Sequence, residues 1–274
     1  MNADARYDGS ETVLLDRPSS GPFLWNGLDE VPAGWGPCVV TLGVFDGVHK
    51  GHSTVIGHAV RAGRARGLPT VLVTFDPHPA RVVGIDRDTA TLTTVERRAE
   101  LVHELGVDAV LVLPFTPELA RVTADSFVDR VLVRTLEARE VVVGSNFTFG
   151  HKGSGTVDTL RELGRNHGFR AHGVNLTSVR DHPNSSTHVR TCLRSGDVRA
   201  ATHALGRPHR IDAYCDTTGY LRLPAGTAIP AAGLYVARTG TDTVHVRVSP
   251  DGAILLLPPS PGAVNLEFLE RRRE

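Results

Sequence analysis

The amino-acid sequence predicts an α/β protein: a doubly wound parallel sheet with helices on both faces, followed by a small, truncated all-β segment. Three observations carry that expectation. Apolar, β-branched runs alternate with segments of helical period from Val39 to Leu205. Some of those runs, such as Val107 to Leu113, are almost unbroken in hydrophobicity, as strands are when both sheet faces are covered. After Arg207-Pro208 the helical period vanishes, and short β-type runs broken by glycine and proline take over.

Residues 1–22 are polar without a sustained period and are expected to be a loose extension. Leu24 to Trp35 is expected to lead into the first strand, which runs from Val39 into Leu42. After two glycines and His52, Val55, Ile56, Ala59 and Val60 fall on one helical face. Thr70 to Phe75 is a buried-type strand, and Val95 to Leu105 a helix with Leu101, Val102 and Leu105 inward. Ala124 to Leu136 is helical, Glu140 to Gly144 a strand, Val157 to His167 a helix and Arg170 to Val174 a strand. Two short helices, Ser186 to Arg194 and Asp197 to Leu205, are separated by Ser195-Gly196. Beyond them, β runs are expected at Ile211 to Cys215, Leu234 to Ala237, Val244 to Val248 and Ile254 to Leu257. The domains are therefore expected at residues 23–207 and 208–274, the second small enough to lean on the first.

Charge and cysteine content narrow the function classes. In the 274 residues, thirty basic and thirty acidic side chains cancel, so no global field recruits nucleic acid or an anionic membrane. Any anion binding must be local. The three cysteines lie far apart in neither disulfide-framework nor zinc spacing, which suits a reducing compartment. No apolar run approaches the roughly 20 residues that span a bilayer, and Asp4, Arg6, Asp8 and Glu11 make no signal-peptide pattern. A cytoplasmic protein is expected, and an oligomer is compatible with the sequence.

Four stretches carry chemistry. The first is Val39 to His52: an apolar run, a bend at Gly43 and Gly47, and two histidines three residues apart before a helix. Strand, tight turn and helix N-terminus form the geometry that receives a phosphate, and Gly51 lets it approach the backbone. The second, Thr74-Phe75-Asp76-Pro77-His78-Pro79, ends a strand at two prolines. The third, Val143 to Gly155, surrounds Phe147 and Phe149 with polar residues and glycines. The fourth, Asn184-Ser185-Ser186-Thr187-His188-Val189-Arg190, puts hydroxyls and a guanidinium at a helix start, a set suited to a polyphosphate. Taken alone, the second is a rigid loop, the third an aromatic cap on the core and the fourth an ordinary N-cap.

Together these stretches support a resemblance. Gly43 to His52 resembles the Gly-x-Phe-Asp-Gly-x-His-x-Gly-His signature of the nucleotidyltransferase superfamily, most closely that of bacterial bifunctional riboflavin kinase/FAD synthetases. Phe75 to Pro79 is similar to that family's Phe-x-Pro-His-Pro element, and Gly144 to Gly150 to its Gly-x-[Asp/Asn]-Phe-x-Phe-Gly loop. Ser185 to Arg190 resembles Ser-Ser-Thr-x-[Ile/Val]-Arg. The likeness is continuous over residues 24–210 and partial beyond, where the Gly-x-Pro-Thr-Ala-Asn motif of the kinase is absent and the β segment is short for its barrel.

The resemblance implies a Rossmann-like fold and an FMN adenylyltransferase that makes FAD and diphosphate from FMN and ATP. Mg²⁺ would arrive with ATP, and no dedicated metal ligands are expected. It further implies catalytic roles for His49 and His52, and nucleotide or phosphate contacts at Gly43, Phe45, Asp46, Gly47, Gly51, Ser186, Thr187 and Arg190. His78, Asn146, Phe147 and Phe149 would lie on the flavin side. With the kinase motif missing, no riboflavin phosphorylation is expected. Two other readings fit the same residues: transfer to another phosphorylated acceptor or flavin analogue, and a non-catalytic flavin- or nucleotide-binding regulator.

Overall fold

The computed structural model describes residues 21–175 and 185–272. The expected extension, as far as residue 20, and Asn184 of the fourth stretch lie outside the described residues. The first sheet comprises β1 (Phe23–Asn26), β2 (Cys38–Leu42), β3 (Thr70–Asp76), β4 (Ala109–Pro114), β5 (Ala138–Gly144) and β6 (Arg170–Val174). Its strands lie in the order β1-β4-β3-β2-β5-β6, and every pairing is parallel. All five residues of β2 are buried, because helices cover both faces. The chain builds outward from β2 on one side through β3 and β4, then on the other through β5 and β6. Such a reversal opens a crevice beyond the strand C-termini.

β1 is the strand that periodicity missed. Four residues are too few to show a period of two, and Phe23 to Asn26 were expected only as a lead-in. Parallel pairing with β4, and packing of Trp35 edge-on against Phe23 and Trp25 at 4.9 and 4.8 Å, make the segment an edge strand.

The helices between these strands follow their sequence signals. α1 (Lys50–Arg66) ends at Gly67 in the left-handed conformation. α2 (Pro79–Val82) is a single turn, and α3 (Val95–Glu104) is capped by the Thr94 hydroxyl. α4 (Ala124–Phe127) continues as a π-helical stretch over Val128–Thr135. α5 (Val157–His167), α6 (Ser186–Ser195) and α7 (Val198–Leu205) complete the set.

The second sheet is antiparallel, in the order β11-β10-β9-β12-β7-β8. Its strands are β7 (His209–Cys215), β8 (Leu221–Arg222), β9 (Gly233–Thr239), β10 (Asp242–Val248), β11 (Ile254–Leu257) and β12 (Gly262–Arg271). Short as the segment is, its two edges meet: Tyr220 bridges Leu255, and the Leu256 amide donates to the Gly219 carbonyl at 2.9 Å. The core of this sheet is shared with α6 and α7. Val189, Leu193, Ala201 and Leu205 pack in one cluster with Ile211, Tyr235 and Phe268. Those two helices therefore tie the antiparallel sheet to the crevice of the parallel one.

Candidate functional site

The crevice beyond β2 is shaped by a loop that turns left-handed three times. Phe45, Gly47 and Val48 have φ of 50°, 81° and 38°. Gly47 is required there on two counts: its φ disfavours a side chain, and a Cβ would fall 2.8 Å from Cδ1 of Leu92. At Gly43 a Cβ would crowd the Phe45 ring at 3.1 Å. The bend delivers His49 as the N-cap of α1, its Nδ1 accepting the backbone N–H of His52 at 3.2 Å. That acceptor role leaves the ring proton of neutral His49 on Nε2. Gly51 is buried in the first turn.

The two histidines stack, with ring centroids 3.6 Å apart and planes inclined by 21°. Phe45, buried itself, meets His52 edge-on at 5.2 Å. Phe45 therefore packs under the histidine ring. Burial, reinforced by Arg207 and Arg190 and opposed by Asp46, pushes His49 down to about 4. Burial, with His49 and three arginines adding to it, holds His52 well below the ordinary histidine range. Both rings are neutral near pH 7. Nδ1 of His52 is buried with no hydrogen-bond partner among the described residues.

Asp46 and Arg190 were both expected to face phosphates; the structure turns them toward each other. Arg190 Nη2 donates to Asp46 Oδ2 at 2.5 Å, and its Nε donates to the Ala90 carbonyl at 2.7 Å. Asp46 also accepts the backbone N–H groups of Leu92 and Thr93 at 3.0 to 3.1 Å and the Thr93 hydroxyl at 3.2 Å. A carboxylate exposed to a triphosphate would repel it; enclosed by these donors, Asp46 holds the loop instead. Ser186 acts the same way, donating to the Asp46 carbonyl at 2.8 Å. Thr187 is exposed at the start of α6, which Ser185 caps through the His188 amide.

The residues expected on the flavin side divide. His78 caps α2 by accepting the Ala80 amide at 3.1 Å, and its Nε2 lies 3.4 Å from Arg87. Burial, then the Arg87 and Arg190 cations, lower it to about 4. Asn146 is exposed, and its side chain makes no hydrogen bond to the described residues. Phe149 is a core residue, buried against Phe127 and Ala124. Phe147, half-buried, stacks on it at 5.7 Å. The aromatic alternation of this loop therefore serves packing at Phe149 first.

Two participants, Arg98 and Thr93, escaped sequence reasoning, and Thr74 was read only as the end of a strand. Arg98 on α3 is buried, with Nη1 donating to the Thr74 hydroxyl at 2.9 Å and Nη2 lying 3.8 Å from Asp46. Thr74 in turn donates to the Val44 carbonyl at 2.8 Å. Thr93 accepts the Gly47 amide at 3.1 Å while it donates to Asp46. The signal for Arg98 was its place on the apolar face of α3, beside Leu101 and Val102, where an arginine needs a buried anion. Thr93 sits in an unpatterned loop and gave none. Among the described residues, no group of three or more His, Cys, Asp or Glu side chains is placed to hold a metal ion, and no helix is long and apolar enough to cross a membrane.

Comparison with known proteins converges on this region. The family model described as FAD synthetase matches residues 32–188. A bifunctional riboflavin kinase/FMN adenylyltransferase of Listeria monocytogenes is 32% identical over 212 residues, 73% of this chain and 67% of that protein. Proteins of the same description from Bacillus subtilis and Pseudomonas fluorescens are 35% and 36% identical over 175 and 174 residues. Those matches cover 63% and 64% of this chain, and the chain spans only 54% and 56% of the relatives' length. A solved structure titled a macrolide-efflux protein, from Streptococcus pneumoniae, superposes with a TM-score of 0.79 at 22% identity. The superposition covers 92% of this chain and 91% of that one, so the likeness in fold extends over both sheets.

Proposed function

The chain belongs to the FAD synthetase family, and from that premise we propose that it is an FMN adenylyltransferase: ATP and FMN give FAD and diphosphate. A phosphate oxygen of FMN attacks the α-phosphorus of ATP, and the bond from that phosphorus to the α–β bridging oxygen breaks. The FMN phosphate is ionised already, so the step needs positioning and charge stabilisation rather than a strong base.

The observation that carries this reading is the stacked His49–His52 pair at the N-terminus of α1, on the crevice beside β2. His49 presents an Nε2–H donor. His52, half-buried and stacked on His49, offers a second imidazole beside the same anion. Free backbone N–H groups of the first turn of α1 favour the same anion. Thr187, at the start of α6, supplies a hydroxyl for the departing diphosphate. His78 and Asn146 bound the flavin side, and Asp46, Arg190 and Ser186 act by fixing the loop between the two helices.

Mg²⁺ would be carried by the phosphate oxygens of ATP and would offset their charge. Asp46, the carboxylate nearest the histidines in sequence, is already committed to Arg190 and to two backbone amides. In this reading residues 23–207 hold the reaction, and the β domain phosphorylates no riboflavin because the kinase motif is missing.

The test is incubation of the purified chain with FMN, ATP and Mg²⁺, followed by chromatographic detection of FAD and diphosphate. FAD formation that disappears in His49→Ala supports the reading. No FAD from the unaltered chain, with AMP transferred instead to another phosphorylated acceptor in a parallel screen, replaces FMN with that acceptor. Flavin binding without any turnover favours the regulator.

A further inference from the structure

Arg207 closes the connection between α7 and β7, and its guanidinium grips the loop that carries His49. Nη2 donates to the carbonyl of Gly47 at 2.6 Å and Nη1 to that of Val48 at 3.0 Å, with a longer bond from Nη1 to Leu205 at 3.4 Å. The two gripped carbonyls belong to the left-handed end of the loop. A β-branched residue at φ 38°, as Val48 is, is costly and persists only where its surroundings hold it. The next residue is His49, whose ring both caps α1 and stacks on His52.

The same loop is held from a second direction by the β domain. The Thr91 amide donates to the Gly226 carbonyl at 2.8 Å, and the Ala228 amide donates to Thr91 at 2.9 Å. His209, the first residue of β7, fixes that strap through the Ala228 carbonyl at 2.8 Å. The strap places Leu92 and Thr93, whose amides hold Asp46. A left-handed turn next to a reactive histidine is thus clasped by the linker into a domain that has lost its own chemical motif.

We propose that Arg207 is a positioning residue for adenylyl transfer: by bridging the Gly47 and Val48 carbonyls it holds the turn that sets His49 in place, and the β domain serves as the frame for that clasp. The inference rests on the proposed transfer and assigns Arg207 no contact with substrate. A planar fork of donors reaches two carbonyls at once, which a lysine ammonium on the same stem does not reproduce.

The experiment compares full-length Arg207→Lys and Arg207→Ala with the unaltered chain. In both variants kcat for FAD formation is expected to fall on the order of 10- to 100-fold, with KM for ATP and FMN changed by less than about threefold. Millimolar guanidinium ion should restore part of kcat to Arg207→Ala and none to His49→Ala. Unchanged kcat in Arg207→Ala overturns the proposal, as does a loss that merely tracks the unfolded fraction by circular dichroism and is not rescued.

A second readout needs no turnover: the ring ¹⁵N shifts of His49 across a pH titration. The charged and titratable groups facing that ring are Asp46 from its own loop, Arg190 from α6, Arg207 from the α7–β7 linker and His52 on α1. Arg207→Ala should raise the His49 midpoint by more than about half a unit and change its tautomer balance as the cap loosens. Identical His49 titrations in the two proteins overturn the placement. If the unaltered chain makes no FAD while His49 still responds to Arg207→Ala, the adenylyltransferase reading fails and the clasp stands.

Discussion

Asp46 and Arg190 form a buried ion pair between the loop before α1 and the first turns of α6, with Nη2 2.5 Å from Oδ2 and side-chain exposures of 5% and 2%. The pair joins two stretches 144 positions apart in the chain. It sets the spacing between the histidines on one wall and the hydroxyls of α6 on the other. Both residues belong to motifs that suggest phosphate contact, and here each is the other's partner.

Breaking that pair from one side leaves an uncompensated buried charge. Asp46→Ala should cost about 3–5 kcal/mol of stability, since Arg190 and Arg98 would then lack their anion. Urea unfolding measures it. A double variant, Asp46→Ala with Arg190→Met, should lose less than the sum of the two single changes; strict additivity would show that the two side chains do not act as a unit.

His49 caps α1, and in the proposed reaction it also donates to the phosphate; one substitution separates the two roles. His49→Asn keeps a side-chain oxygen that can accept the His52 amide, so its melting temperature should stay near that of the unaltered chain. His49→Ala should lose about 1 kcal/mol with the cap. Both should lose at least about 10²-fold in kcat, the scale for deleting one donor to a developing oxyanion. An active His49→Asn would place the chemistry elsewhere.

Acid should destabilise the protein in a defined window. His49 and His78 are lowered from 6.5 to about 4 in the folded chain, and His52 and His209 are lowered as well. Between these limits the unfolded chain takes up protons that the folded chain refuses. Stability therefore rises with pH through the window and is lost as pH falls from about 6.5 toward 4. Denaturant midpoints across that range should show the slope, and His49→Asn should flatten it. A level profile would mean that the rings are not held neutral.

The aromatic loop after β5 offers a contrast between packing and recognition. Phe149→Ala, opening a hole beside Phe127, should cost about 3–5 kcal/mol. Asn146→Ala, at an exposed position, should change stability by less than about 0.5 kcal/mol and raise KM for FMN. An Asn146→Ala variant with unchanged KM removes that residue from the flavin side.

Riboflavin supplied with ATP and Mg²⁺ should yield no FMN, although the β sheet closes on itself. The closure at Tyr220 and Leu255 needs only backbone hydrogen bonds and a core, whereas phosphorylation needs the missing polar motif. Detection of FMN by chromatography would restore a second activity to the chain.

Much of this was legible in the sequence because the signals are local. Strand and helix alternation reports burial on one or two faces, and apart from the single turn of α2 the elements from β2 to α7 lie within a few residues of where that pattern places them. The His-x-Gly-His spacing follows from one turn of helix, and the stacked rings at 3.6 Å realise it. The partners of Asp46, Arg190 and Phe149 were not legible, because a side chain's partner depends on what the fold brings opposite it. Thr93 and Arg207 carry no local pattern at all, and Arg98 shows only that it needs a buried anion; they matter because α3, the loop after residue 90 and the α7–β7 linker meet at one turn. Local chemistry in the sequence determined the parallel-sheet architecture and the two histidines. Tertiary structure alone decided which charges face each other and which domain holds the loop, because long-range contacts are set by the packing of whole elements rather than by residue order.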